Sequence, residues 1–150
     1  MKDCTIRAMQ PSDMEQVLDI WLEASIRAHP FQPATYWENA LPAMRLQYLP
    51  MSENFVAEQE GKVLGFLAML NNYIAALFVE PAVQGKGIGS CLLDYARANH
   101  DTLSLAVYQQ NQQAVNFYLK NGFQIREETI NSETGDPEYQ MYWESRTINP

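Results

Sequence analysis

Between residues 73 and 107 the chain runs through an apolar segment, Y-I-A-A-L-F-V at Tyr73 to Val79, and a glycine-rich connection at Gln84 to Gly89. A stretch with helical spacing at Ile88, Cys91, Leu92 and Tyr95 follows, then an alternating segment at Leu103, Leu105 and Val107. Strand, helix and strand in that order require a crossover, and a crossover joins parallel strands. A simple β-meander is thereby excluded. The continuous apolarity of Tyr73 to Val79 predicts a strand in mid-sheet, covered on both faces.

The flanking segments extend this unit into a mixed α/β domain. Cys4 to Ala8 alternate as a short strand, and Ser12 to Glu15 has the S-x-x-E spacing of a helix capping box. An apolar stripe from Met14 through Val17, Leu18, Trp21 and Ala24 to Ala28 predicts a helix that His29-Pro30 stops. A second helical stretch, Ala34 to Leu49, contains Pro42, which should kink or split it. Asn54 to Gln59 and Lys62 to Leu70 flank Glu60-Gly61 as a hairpin. Gln112 to Asn121 reads as a helix ended by Gly122, and Phe123 to Ile130 and Tyr139 to Trp143 as closing strands. With no repeat or linker, residues 1–150 are expected to form one domain.

A chain of 150 residues, 47% hydrophobic and 19% charged, can bury a sizeable core. No apolar run approaches the roughly 20 residues of a membrane span, and no apolar stretch follows the initial lysine. A cytoplasmic protein without membrane attachment is expected. The net charge of −8 argues against nucleic-acid binding and suits a cationic partner, though it serves solubility equally well. Cys4 and Cys91, 87 residues apart and without metal-ligand spacing, are expected to be reduced, packed thiols, and no metal site is indicated.

The chemistry-bearing stretch is L-F-V-E-P-A-V-Q-G-K-G-I-G at residues 77–89. Glycines admit a ligand close to the backbone, and the following helix offers unpaired N–H groups to a phosphate or pyrophosphate. The spacing is neither G-x-G-x-x-G after a first strand nor the G-x-x-x-x-G-K-[ST] of a P-loop.

Gln84-Gly85-Lys86-Gly87-Ile88-Gly89 resembles the Q/R-x-x-G-x-G/A motif of the GCN5-related N-acetyltransferase (GNAT) family, and N-Q-Q-A-V-N-F-Y-L-K-N-G-F at 111–123 resembles that family's N-x-x-A-x-x-F-Y…G-F segment. The resemblance covers about Asn54 to Trp143. It implies a central mixed, mostly antiparallel sheet of six to seven strands with about four helices on both faces. It further implies acetyl-CoA as cosubstrate, its pyrophosphate on Gly85 to Ser90 (Gln84, Gly85, Lys86, Gly87, Ile88, Gly89 and Ser90 in the binding segment). The pantetheine arm would pair against Leu77, Phe78 and Val79, with Asn111 bonding it and Phe117 beside it. An amine would attack the thioester directly, without a covalent enzyme intermediate, and Tyr118 would protonate the departing thiolate.

A common family arrangement places a glutamate twelve residues before that tyrosine, where this chain has Ala106. The proton acceptor is therefore expected elsewhere: Glu80 is favoured, with His29 or water as alternatives. Each of these residues also has an ordinary reading. Tyr118 suits core packing, Glu80 an exposed turn, His29 and His100 solvent-facing helix ends, and Lys86 a hydrated loop. Tyr36, Trp37, Tyr48 and Tyr73 are candidates for an acceptor pocket, although aromatic residues at helical spacing usually form core. The acceptor is expected to be an amine on a small molecule or a protein, and the enzyme a monomer or homodimer. A catalytically lapsed acyl-CoA-binding module is the alternative that Ala106 keeps open.

Overall fold

The computed structural model describes residues 4–145. Strands β1 (Thr5–Ala8), β2 (Glu53–Gln59), β3 (Lys62–Leu70), β4 (Tyr73–Val79), β5 (Thr102–Tyr108), β6 (Gln124–Ile130) and β7 (Pro137–Glu144) form one sheet in the order β1-β2-β3-β4-β5-β7-β6. Every neighbouring pair is antiparallel except β4 and β5. That parallel pair is the crossover required by the sequence, and helix α4 (Ile88–Ala98) makes it.

Helices α1 (Met14–Ala28) and α2 (Ala34–Ala43) cover one face through Val17, Trp21 and Trp37 packed on Val56, Phe66 and Ala68. The single turn α3 (Leu49–Met51) precedes β2. Helices α4 and α5 (Gln112–Lys120) cover the other face through Leu92, Leu93, Val115 and Tyr118 on Leu67, Met69 and Leu105. Seven strands with four principal helices on both faces agree with the expected architecture.

Four local expectations change. The strand buried on both faces is β3, whose residues 63–69 are all buried, whereas β4 is half exposed because one side of it borders a cleft. The first helix is entered through a 3-10 turn at Pro11–Asp13, where the Gln10 N–H donates to Asp13 Oδ2 at 2.8 Å. The box residue is thus Asp13, which Arg7 also holds with a two-pronged pair, and Glu15 instead pairs with Arg45. Pro42 lies inside α2, which runs one residue past it, and the chain continues through a π-helical turn at Met44–Tyr48.

The fourth change concerns the cysteines, which are joined as a disulfide rather than being separate thiols. Sequence spacing carried no sign of it. β1 adds to the sheet edge beside β2, and α4 crosses that end, so two residues remote in sequence meet.

Two irregularities shape the sheet. The β2–β3 register shifts at Ala57/Glu58, so that Leu64 is extra on β3 and Gly65 takes the inner side of a bulge. A Cβ on Gly65 would stand 2.8 Å from the Phe78 carbonyl oxygen, closer than any side chain is tolerated. The β3–β4 register shifts again at Ala68/Met69, leaving Ala75 as the extra residue of β4. Beyond that bulge β4 leaves β5, and Tyr73 with Ser104 is the one register pair between them among the described residues.

Candidate active site

The splay of β4 from β5 opens a cleft made of two adjoining cavities. One, of about 660 Å³, is lined by Leu77, Phe78 and Val79 of β4, by Gln84, Gly85, Gly87, Gly89 and Ser90 of the glycine-rich turn, and by Asn111, Phe117 and Tyr118 around α5. These are most of the residues expected to hold the cosubstrate.

The backbone explains why this cavity accepts an anionic, extended ligand. Gly85 and Gly87 have φ of +84° and +90°, a conformation that L side chains rarely adopt, and Gly87 caps α4 in the left-handed region. The first N–H donated back into the helix is that of Cys91, to Gly87 O at 3.0 Å. The N–H groups of Ile88, Gly89 and Ser90 are therefore left for a ligand at the positive end of the helix dipole.

On the strand side, the Glu80 N–H donates to Leu64 O at 2.8 Å, which sets the phase of the β3–β4 ladder. By antiparallel alternation Phe78 turns its backbone groups to β3, while Leu77 and Val79 turn theirs to the gap. The Val79 oxygen accepts from Gln84 Nε2 at 3.2 Å on that side. The cleft wall is thus an unpaired strand edge.

The second cavity, of about 240 Å³, continues beyond Tyr118 and is walled by Trp21, His29, Trp37, Tyr108 and Glu138 with Ile74 to Phe78 and Leu105 to Tyr108. Leu77, Phe78, Asn111, Ala114 and Tyr118 line both cavities, so Tyr118 stands where they meet. Burial pushes the Tyr118 phenol well above its usual range, so the hydroxyl keeps its proton at neutral pH.

Other expected site residues are placed differently. Glu80 borders neither cavity: its carboxylate accepts from the Ala82 N–H at 2.8 Å and caps the short turn Pro81–Val83. The Ile88 side chain lies in the core, leaving only its backbone near the cleft, and exposed Lys86 does not line it. Asn111 Oδ1 accepts from the Ala114 N–H at 3.3 Å to cap α5, which leaves its amide nitrogen for a ligand. Of the aromatic candidates, Trp37 reaches the second cavity while Tyr36, Tyr48 and Tyr73 do not.

His29 departs most from expectation. It is only 6% exposed, stacked on Trp37 with ring centroids 4.8 Å apart and edge-on to Phe31 and Tyr108. Burial pulls its pKa below the usual 6.5, against a smaller opposing effect from the hydrogen bond to Ser25 O.

Sequence reasoning missed Arg27 and Lys120, the cationic side chains bordering the larger cavity, and Tyr108 and Glu138 in the smaller one. A signal was present for Arg27, which follows the apolar stripe into the last turn of α1. Glu138 had none, because its placement depends on β7 pairing with β5, where Glu138 stands opposite Tyr108. Among the described residues no group of three or more His, Cys, Asp or Glu is placed to hold a metal. No helix among them is long and apolar enough to cross a membrane.

Comparison with known proteins agrees with this geometry. Residues 50–125 match the acetyltransferase (GNAT) domain. The chain is 40% identical over 139 residues to the peptidyl-lysine N-acetyltransferase YiaC of Escherichia coli K12, covering 92% of this chain and 95% of that protein. Among solved structures it resembles apo-form YjaB from Escherichia coli, with TM-score 0.84, 28% identity and coverage of 95% and 98%. It also shares the fold of the PaiA N-acetyltransferase from Thermoplasma acidophilum, solved in complex with coenzyme A, with TM-score 0.79, 20% identity and coverage of 96% and 100%. Unpaired amides at a helix start, an open strand edge and a protonated phenol at the junction fit acetyl-CoA and an amine, and the catalytically lapsed alternative gives way: the chain belongs to the GNAT family and is an acetyl-CoA-dependent N-acetyltransferase.

Proposed function

We propose that the acceptor is the ε-amino group of lysine in a peptide or protein, the class named for YiaC. The observation that carries this reading is the second cavity. It is small, aromatic-walled and joined to the larger cavity at Tyr118, with Glu138 as its carboxylate. A straight alkyl chain fills such a space, aromatic faces and a carboxylate favour its ammonium head, and nothing there suits an anion. Glu133 and Asp136, which accept hydrogen bonds from Tyr36 and Gln32 respectively, add negative charge close enough to act on Tyr108 in the cavity wall.

Within this reading the N–H groups of Ile88 to Ser90 and the cation of Arg27 hold the pyrophosphate. The gap-facing groups of Leu77 and Val79, with the Asn111 amide, align the pantetheine arm as an added strand. A gap-facing N–H of β4 stabilises the charge that develops on the thioester oxygen, and Tyr118 donates its proton to the departing sulfur. Glu80 is left as a turn cap.

The test of the acceptor class is a panel of lysine peptides, peptides with only a free N-terminus, polyamines and aminoglycosides, each incubated with acetyl-CoA and read by mass spectrometry. Transfer to lysine ε-nitrogen ahead of the other amines is the expected result, and preference for a polyamine or an N-terminus overturns it.

A further inference from the structure

Direct transfer requires an acceptor nitrogen with a free lone pair, yet a lysine amine has a reference pKa of about 10.4 and arrives as ammonium. Something beside the thioester must take a proton. Ala106 borders the second cavity and offers no acceptor, and Glu80 lies outside it. The side chains there able to accept are His29 and Glu138.

The two differ in how they are held. His29 Nδ1 is 2.8 Å from the Ser25 carbonyl oxygen at the end of α1. A carbonyl oxygen only accepts, so Nδ1 must carry the proton, and in the neutral ring Nε2 then bears the lone pair. Three aromatic rings fix the imidazole in place, and Nε2 has no hydrogen-bond partner among the described residues. Glu138 Oε2, by contrast, already accepts from Asn131 Nδ2 at 3.0 Å.

We infer that His29 Nε2 is the catalytic base that deprotonates the acceptor amine, while Glu138 holds the ammonium charge on arrival. The inference rests on the proposed acceptor site. In the step, His29 takes a proton from the ammonium and becomes imidazolium, and the freed nitrogen lone pair forms the C–N bond to the thioester carbon. The C–S bond breaks, its electrons leave on sulfur, and Tyr118 supplies the proton to the thiolate. The nitrogen, positively charged once it has attacked, gives up its second proton to the Tyr118 phenolate as the amide forms, and His29 passes the first to solvent, so that one proton is released per acetyl transferred. A buried imidazole with a lowered pKa is unprotonated, and so ready to accept, at neutral pH.

The groups facing His29 are the Ser25 carbonyl from α1, the rings of Phe31 and Trp37, and Tyr108 from β5. Tyr118 from α5 and Glu138 from β7 share its cavity, whereas Arg27 opens onto the neighbouring one. No cation among the described residues borders the cavity to compete for the carboxylate.

The test compares wild type and His29→Gln on one lysine peptide from pH 5.5 to 10, with coenzyme A affinity and thermal melting measured alongside. In the wild type kcat/KM should level off near neutral pH, once His29 has lost its proton. The variant should bind coenzyme A normally, fall by about 10²-fold at pH 7, and keep climbing tenfold per pH unit toward the amine's own pKa. A variant that retains the wild-type plateau, or loses activity equally at every pH, overturns the assignment. Absence of transfer to lysine by the wild type overturns the acceptor reading instead, so the two failures are distinguishable. If the variant does not fold, nitrogen NMR of the native enzyme decides: Nε2 found as the protonated nitrogen of neutral His29 rules out its role as base.

Discussion

Tyr73 and Ser104 form the one register pair between β4 and β5 among the described residues, and past them the strands diverge around the Ala75 bulge. The cleft follows from that separation. Had the pairing continued, Leu77 and Val79 would spend their backbone groups on β5, and the two cavities would be closed sheet.

Tyr118→Phe removes the hydroxyl where the cavities meet and leaves the ring's packing against Phe117 and Phe123 intact. Coenzyme A should bind as before by calorimetry, while kcat falls about 10²–10⁴-fold, the range of a lost general acid. Unchanged kcat, measured by release of free thiol, would remove Tyr118 from the mechanism.

Gly65→Ala probes the bulge beneath the cleft. Its Cβ would meet the Phe78 carbonyl oxygen at 2.8 Å and Leu92 at 3.1 Å, forcing β4 outward. The expected loss is about 1–3 kcal/mol in chemical denaturation, with a raised KM for acetyl-CoA because the displaced strand lines the larger cavity. Unaltered stability would mean that β4 yields without strain.

Most of this arrangement was legible in the sequence where the signal is local. The hairpin turn at Glu60-Gly61 is where the spacing puts it, with φ of +52° and +80°, the second of which glycine adopts at no steric cost. The glycine-rich turn and the N-x-x-A-x-x-F-Y segment, each visible as a short local pattern, line one cavity. What stayed hidden depends on tertiary pairing. His29 looks like any helix-terminal residue until α2 folds Trp37 over it, and Glu138 reaches the cleft only through the β5–β7 register. The sequence points to β4 rather than β3 as the doubly buried strand because apolarity does not distinguish a surface under a helix from the wall of a binding cleft.

The Cys4–Cys91 disulfide closes a loop across a sequence separation of 87 and ties the sheet edge to α4. Restricting the unfolded chain over so long a loop is worth about 2–4 kcal/mol. Adding reductant, or substituting both cysteines by serine, should lower the denaturation midpoint accordingly. Thiol titration of the unfolded protein counts free cysteines directly: none confirms the bridge, and two shows that the thiols remain reduced.

Arg7 and Asp13 give a pH signature distinct from the active site. The Arg7 hydrogen bonds, ahead of the smaller opposing effect of burial, hold the Asp13 carboxyl below its ordinary value of 3.8. A carboxyl with a depressed folded-state pKa contributes stability that is complete above its unfolded value and is lost as pH falls through the folded one. Arg7→Met should therefore destabilise the protein strongly at pH 7, and progressively less than that as pH drops below about 3.8. Glu58, the second partner of Arg7 at 2.5 Å, should add to the neutral-pH loss when its cation is removed. Urea denaturation of both proteins at pH 7 and pH 3 measures the difference, and a gap that fails to narrow at pH 3 would show that the pair contributes through packing rather than charge.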